Sequence, residues 1–316
     1  GKRNMQYYPL NGAPQLLLYK RTRLRIKILS VKLKKLLISD YKQAERSYER
    51  EKGVKPDLRN PKTYSEKLLY LKLHYRNPLQ TLCADKYYVA EYVRACGYEY
   101  ILKKNYAVYN DARDIDFKLL PDKFFMRCNH LSGFNYLVDK NTIDQTHTKK
   151  LFSILLKENY YAGGREWPYK NIKPKVICEE ILANKNGTPL VDYKFYCFSG
   201  EPKYFMVSLG EYEHEVKNHK FDMQFNSIDK FFKKKPAIDA SDIKLPDNID
   251  EMVAIVKKLC KPFPHVRVDL YNIDGRIVFG ELTFFSSGGI VNVDSSEYDA
   301  KIASWINLNR YKNDMV

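Results

Sequence analysis

No apolar run in the 316 residues approaches the ~18–20 residues that carry a helix across a bilayer, so a transmembrane helix is excluded. The six cysteines (Cys83, Cys96, Cys128, Cys178, Cys197 and Cys260) lie far apart without a C-x-x-C pair. A disulfide framework and a zinc ribbon are therefore not expected, and a reducing compartment is. No signal peptide is visible behind Gly1, and no internal repeat or low-complexity tract stands out. The chain also lacks G-x-S-x-G, Walker A, G-x-G-x-x-G and H-E-x-x-H motifs, which leaves serine-hydrolase, P-loop, Rossmann and zincin chemistry without support. What it has is 44% hydrophobic and 14% aromatic residues, too many for a disordered chain. The length suits one large domain or two to three lobes.

Acidic residues are missing from Gly1 to Ser39, where ten basic residues stand; the first acid is Asp40. Residues 1–60 hold 16 Lys/Arg against 5 Asp/Glu, so +11 of the net +16 belongs to this arm. Its densest part, residues 16–38, interleaves Leu, Ile and Val with Lys20, Arg21, Arg23, Arg25, Lys27, Lys32, Lys34 and Lys35. On a helix Leu17, Leu24, Ile28, Val31 and Ile38 share one face, but Ile26, Leu29, Leu33 and Leu37 fall on another, and Arg23–Ile28 alternates like a strand. Such a segment suits an anionic membrane surface, at roughly 1 kcal/mol per basic residue near the lipid; a solvated helix packed on the domain has the same pattern. Nucleic acid is not expected as a partner, because no recognition-helix, RNA-binding or zinc-finger pattern accompanies the charge.

Along the chain, Asn60–Lys67 reads as a turn into a helix, with Thr63 as N-cap and Glu66 completing a capping box. Asp85–Cys96 predicts a second helix ended by Gly97, and Lys149–Tyr161 a third. Strands are expected at Lys123–Cys128, Tyr136–Val138 and Val176–Leu182. Hairpins are expected for Asp192–Phe198 with Pro202–Ser208 around Ser199-Gly200, and for Val266–Tyr271 with Arg276–Leu282 around residues 272–275. Ile249–Cys260 predicts a helix, and Ser295 or Ser296 caps a last one bearing Tyr298, Ile302 and Trp305. Mixed helices and antiparallel hairpins argue for an α+β fold. The expected organisation is a basic arm (1–60), a helical region (61–120), a small lobe (121–185) and a large lobe with a C-terminal helix (186–316).

The most informative residues are Asp269 and Glu281, on adjacent strands joined by a tight turn. Facing carboxylates repel unless a divalent cation relieves them, and Mg²⁺ takes one or two carboxylates and completes its shell with phosphate and water. Arg267, two residues before Asp269, points to the same face and could hold a phosphoryl oxygen. A plain surface hairpin of alternating charges has the same spacing. The polar loop Asn129–Asn135, preceded by Arg127, could cover a triphosphate with its backbone N–H groups, or be an ordinary turn. Glu179-Glu180 ends an apolar strand, where a carboxylate can take ribose hydroxyls; a charged strand end looks the same. His130 is the one histidine inside a candidate site, and the other five lack metal-ligand spacing.

In their order, several blocks resemble the TupA-like ATP-grasp family of bacterial cell-surface polysaccharide clusters. They are Pro61–Lys67, Ala84–Tyr87, Arg127–Gly133, Gly164–Lys170, Asp192–Phe195, Arg267–Asp269 and Gly280–Thr283, and the match runs from about Asn60 to about Leu308. The resemblance implies two α+β lobes clamping ATP. It implies Mg²⁺ on Asp269 and Glu281, with Thr283 where many such enzymes have asparagine, and Arg267 at the γ-phosphate. Lys86 and Arg127 would meet the α- and β-phosphates, under the Ser132-Gly133 loop. Glu180 and Leu182 would form the adenine–ribose hinge, and Lys194 would face the phosphates or the acceptor. Arg127 stands where the family usually has lysine, and Phe134 in a loop usually richer in glycine.

The implied activity is ATP-dependent carboxylate–amine ligation through an acyl phosphate, with Arg267, Lys194 and Arg127 as catalytic cations. The substrates would be a uronic acid or amino acid and an amine acceptor, which a glycan could carry. Arg165, Trp167 and Ser286–Gly289 are candidate acceptor contacts. The alternatives are a nucleotide-sugar glycosyltransferase using Mg²⁺ at the same carboxylates, or a non-catalytic assembly protein. The implied location is cytoplasmic, with the basic arm reaching the inner face of the bacterial cytoplasmic membrane.

Overall fold

The computed structural model describes residues 38–188, 190–209, 217–232 and 238–316. The basic segment 16–38, except for Ile38, lies outside the described residues. No helix among the described residues is long and apolar enough to cross a membrane. All six cysteines are free thiols.

Four helices come first: α1 (Asp40–Lys52), α2 (Tyr64–His74), α3 (Pro78–Ala84) and α4 (Val89–Ala95). Helix α2 starts as its sequence dictates. The Thr63 hydroxyl accepts from the Glu66 N–H, and the Glu66 carboxylate accepts from the Thr63 N–H. Its Tyr64, Leu68 and Leu71 enter the main core. The helix expected over Asp85–Cys96 begins only at Val89, because Asp85 serves the turn instead: its carboxylate accepts from the N–H groups of Tyr87 and Tyr88.

A four-stranded antiparallel sheet follows, built from β1 (Asn105–Tyr109), β2 (Lys123–Cys128), β3 (Tyr136–Asp139) and β4 (Val176–Glu179), in the order β1-β4-β2-β3. The edge strand β1, short and half exposed, lacks the apolar alternation that would have announced it. Helix α5 (Gln145–Leu155) covers the sheet and stops before the expected Tyr161; Asn159 caps a separate turn, α6 (Tyr160–Gly164). Phe124, Met126 and Cys128 of β2 and Val176 and Cys178 of β4 point into this lobe's own core. By the period-2 alternation of a strand, Phe125, Arg127 and Glu179 point the other way.

The second sheet is also antiparallel: β5 (Val191–Phe198), β6 (Glu201–Leu209), β7 (Lys217–Asp222), β8 (His265–Ile273) and β9 (Arg276–Thr283), ordered β7-β6-β5-β8-β9. Strand β7 follows residues 210–216 and was not expected from the sequence. Helix α7 (Ile249–Cys260) packs Met252, Ile255, Val256 and Leu259 into a core shared with Phe195, Phe205, Val266, Val268 and Leu270. The opposite face of β5 and β8 carries Asp192, Lys194, Arg267 and Asp269. Helix α8 (Ser296–Ser304), capped by Ser295, closes the fold against α2. Both hairpins form where expected. The β8–β9 turn is Asp274-Gly275, with φ of +51° and +88°, the left-handed pair a two-residue connection requires.

Thr63→Ala removes one half of the capping box and should lower stability by about 1 kcal/mol in urea denaturation. An unchanged midpoint would show that packing alone fixes the start of α2.

Candidate functional site

The pairing of β8 with β9 sets the site. From the turn, Ile273 faces Arg276, Tyr271 faces Val278 and Leu270 faces Phe279, so a regular ladder would set Asp269 against Gly280. A β-bulge intervenes, and Asp269 faces Glu281 instead, with Arg267 opposite Thr283. Residues opposite each other share a face of the sheet, so the extra residue brings Glu281 and Thr283 beside Asp269. Glycine is required there, since a Cβ on Gly280 would lie 2.9 Å from the Asp269 carbonyl oxygen.

Arg267 spans the pair. Its Nε and Nη2 donate to the two Asp269 oxygens at 2.6 and 2.5 Å, and Nη2 also reaches Glu281 Oε1 and Thr283 Oγ1, both at 3.1 Å. Thr283 donates to Glu281 at 2.8 Å. On β5, Lys194 is hydrogen-bonded to Asp192 and lies 3.8 Å from Asp269. Lys86, in the turn before α4, lies 3.9 Å from Glu281. Burial pushes the Glu281 carboxyl upward, but Lys86 and Arg267, with the Thr283 hydrogen bond, outweigh it and hold the group at about 2.

The four-stranded sheet supplies the facing wall. Glu179 accepts from Lys103 at 3.0 Å and from Arg127 Nη2 at 3.1 Å. Burial opposes the charge on Glu179, but Arg127 and Lys103 outweigh it and lower its pKa. Arg127 Nε is buried with no hydrogen-bond partner among the described residues. Between the walls runs a cleft of about 590 Å³, part of it open solvent, lined by Arg127, Glu179, Asp192, Asp269 and Glu281 among others.

Of the residues expected from the sequence, the structure brings Asp269, Glu281, Thr283, Arg267, Lys194 and Lys86 into one network, with Arg127 across the cleft. Glu180 and Leu182 line the same cleft. The Glu180 carboxylate accepts from the Lys104 N–H and from Arg276, both at 3.0 Å. Ser132 and Gly133 are half-buried and do not line the cleft, which takes Asn135 from that loop. His130 is buried in the same loop with Nε2 3.1 Å from the Glu158 carbonyl, and burial lowers its pKa to about 4. Arg165 is bound to Asp40 at 2.9 Å and to the Ile38 carbonyl, and Trp167 lies under the Arg76 guanidinium, so both are engaged structurally. Lys103, Asp192 and Tyr271 were not anticipated as cleft residues, whereas Asn135 ends the loop expected to cover a phosphate. A charge inside the apolar stretch Val191–Phe198 is the one signal that marks Asp192; Lys103 has none.

The site suits a nucleotide held with a metal. Lys86, Lys103, Arg127, Lys194 and Arg267 already face Glu179, Asp192, Asp269 and Glu281, so a polyphosphate entering without its own cation would have to compete with these carboxylates for them. Two adjacent carboxylates and a hydroxyl fit Mg²⁺, which completes its shell with phosphate oxygens. Among the described residues no group of three or more His, Cys, Asp or Glu is arranged to hold a metal by itself.

The model of a family described as TupA-like ATPgrasp matches residues 66–307. No curated protein matches the chain by sequence. Among solved structures, D-alanine–D-alanine ligase from Bacillus anthracis is 18% identical over 78% of this chain and 75% of its own, with a TM-score of 0.44. The ATP-grasp ligase PsnB with a minimal precursor, Mg and ADP is 12% identical over 74% of this chain, with a TM-score of 0.40. L-amino acid ligase from Bacillus licheniformis is 9% identical over 71% of this chain and 46% of its own, with a TM-score of 0.42. The chain spans about three fifths of the length of the PsnB chains it matches, 62%.

Gly280→Ala forces the bulge apart and should cost roughly 1–3 kcal/mol, read by chemical denaturation. Full retention of stability would mean that the bulge yields freely and does not fix Glu281.

Proposed function

Since this chain belongs to the TupA-like ATP-grasp family, we propose that it is an ATP-dependent carboxylate–amine ligase acting in bacterial cell-surface polysaccharide biosynthesis. The observation that carries this reading is the bulge-set pair Asp269 and Glu281 beside Arg267, facing the unpartnered Nε of Arg127 across the cleft.

In this reading Asp269 and Glu281, with Thr283, hold Mg²⁺, which neutralises phosphate charge. Arg267 exchanges part of its carboxylate contacts for the γ-phosphoryl oxygens. Arg127 presents its free Nε to the α- and β-phosphates, helped by Lys103, while Lys86 and Lys194 hold the transferring group and its acceptor in line. Glu180 and Leu182 meet the nucleoside end, with Leu182 packed in the small cluster of Leu190, Tyr271 and Val278. A substrate carboxylate attacks the γ-phosphorus, the bond to the β,γ-bridging oxygen breaks, and ADP leaves. An amine then attacks the acyl phosphate, forming C–N as C–O breaks and phosphate departs. Fixed cations around the transferring phosphoryl group and the alignment of the reactants contribute most of the rate enhancement in such transfer. The acid would be a uronic acid or amino acid. The basic arm would bring the enzyme to the anionic inner face of the cytoplasmic membrane.

ATP with Mg²⁺ should raise the melting temperature, and UDP-sugars should not; the reverse would favour a glycosyltransferase. Asp269→Asn and Glu281→Gln should each abolish metal-dependent ADP release over a panel of uronic acids, amino acids and amines, while folding normally. Full activity in either variant would remove the proposed metal site.

A further inference from the structure

Two arginines of the cleft meet their carboxylates in different ways. Arg267 meets Asp269 side-on, with Nε on one oxygen and Nη2 on the other. Arg127 meets Glu179 with one nitrogen only. Its Nη2 lies 3.1 Å from each carboxylate oxygen, and Nε stays buried without a hydrogen-bond partner among the described residues. The side-on fork is the stronger contact and would satisfy Nε as well, so a neighbour must keep Arg127 out of it.

The neighbour is Lys103. Its ammonium donates to Glu179 Oε1 at 3.0 Å, an oxygen that the fork would need for one of its two bonds. At Asp269 the nearby lysine, Lys194, stands off at 3.8 Å, and the fork forms. The backbone beside Lys103 is fastened to the end of β4. The Lys104 N–H donates to the Glu180 carboxylate at 3.0 Å, and the Glu180 N–H to the Lys104 carbonyl at 2.9 Å. Phe125, two residues before Arg127 on the same face of β2, places its ring 5.9 Å from the Arg127 Cζ. Lys103, Phe125, Arg127 and Glu179 all line the cleft. Two cations thus share one carboxylate and disfavour each other. Burial and the Arg127 charge lower the Lys103 pKa, with Glu179 acting against them. An anion arriving in the cleft would relieve both.

We propose that Lys103 is a positioning residue: by occupying Glu179 Oε1 it stops Arg127 from closing a fork on Glu179 and keeps the Nε N–H available to a nucleotide phosphate. Lys103 acts at one remove and makes no contact with the nucleotide itself. The inference rests on the ligase reading above and assigns a role to a second cation at a carboxylate that Arg127 could neutralise alone.

Calorimetric titration of Mg-ATP into the full chain tests this as a double-mutant cycle. Lys103→Met should weaken Mg-ATP about tenfold in the natural chain, because Arg127 then closes on Glu179. Beside Arg127→Lys, whose ammonium has no fork to close, the same change should cost no more than about threefold. Lys103→Gln loses the charge but keeps a donor for Glu179, so its affinity should stay within about threefold of the natural chain's. That variant also carries the test if Lys103→Met folds poorly. Equal losses from Lys103→Met in both backgrounds would overturn the proposal, since Lys103 would then meet the nucleotide directly. Full affinity in Lys103→Met, or a loss of about tenfold in Lys103→Gln, would overturn it as well. Failure of the natural chain to bind Mg-ATP would overturn the ligase reading instead, and is read before any variant.

Discussion

One inserted residue, Gly280, determines what the large sheet can do. Without the bulge, Asp269 would face residue 280, and Glu281 would turn toward the apolar side of the sheet. With it, Asp269, Glu281 and Thr283 share a face, and Arg267 is bound to all three. The close approach of Gly280 to the Asp269 backbone leaves no space for a side chain, so the residue that makes the bulge must be glycine. The cleft residues of β5 join from the other side of β8, where Lys194 faces Asp269 in a regular ladder.

Each sheet divides its residues by alternation, one face to a core and one to the cleft. Phe124, Met126 and Cys128 fill the small lobe while Phe125 and Arg127 face out of it; Val266, Val268 and Leu270 fill the large lobe while Arg267 and Asp269 face the site. The cleft faces are dense with buried charge, which is costly unless every group is partnered. Arg267 and Lys194 supply partners for the carboxylates, and Lys103 and Arg127 do so for Glu179. Arg127 Nε is left without a hydrogen-bond partner among the described residues, and it offers a place for substrate.

Much of the architecture was legible because its signals are local. The Thr63–Glu66 box, the Ser295 cap, the alternation in Val266–Tyr271 and the Asp274-Gly275 turn are each written in a few adjacent residues. The misses have equally physical causes. Asp85 turned the chain with its own carboxylate where periodicity alone predicted helix, and β1 was too exposed to show alternation. The pairing of Asp269 with Glu281 was anticipated from a tight turn, but turn counting alone would have paired Asp269 with Gly280. The bulge that decides it depends on a backbone approach between strands. Lys103 carried no signal because its environment is made by segments distant in sequence. The ATP-grasp membership was legible from the joint order of short blocks, none specific by itself.

On the proposed ligase reading, a polyphosphate would enter this cleft together with its metal ion, because most of the cations there are already matched by carboxylates. Calorimetric titration of ATP with and without Mg²⁺ tests this most directly, on the natural chain and on Asp269→Asn. One site per chain is expected, at least tenfold tighter with Mg²⁺, and this metal dependence should vanish in the variant. ATP affinity independent of Mg²⁺, or an equal metal dependence in Asp269→Asn, would contradict it.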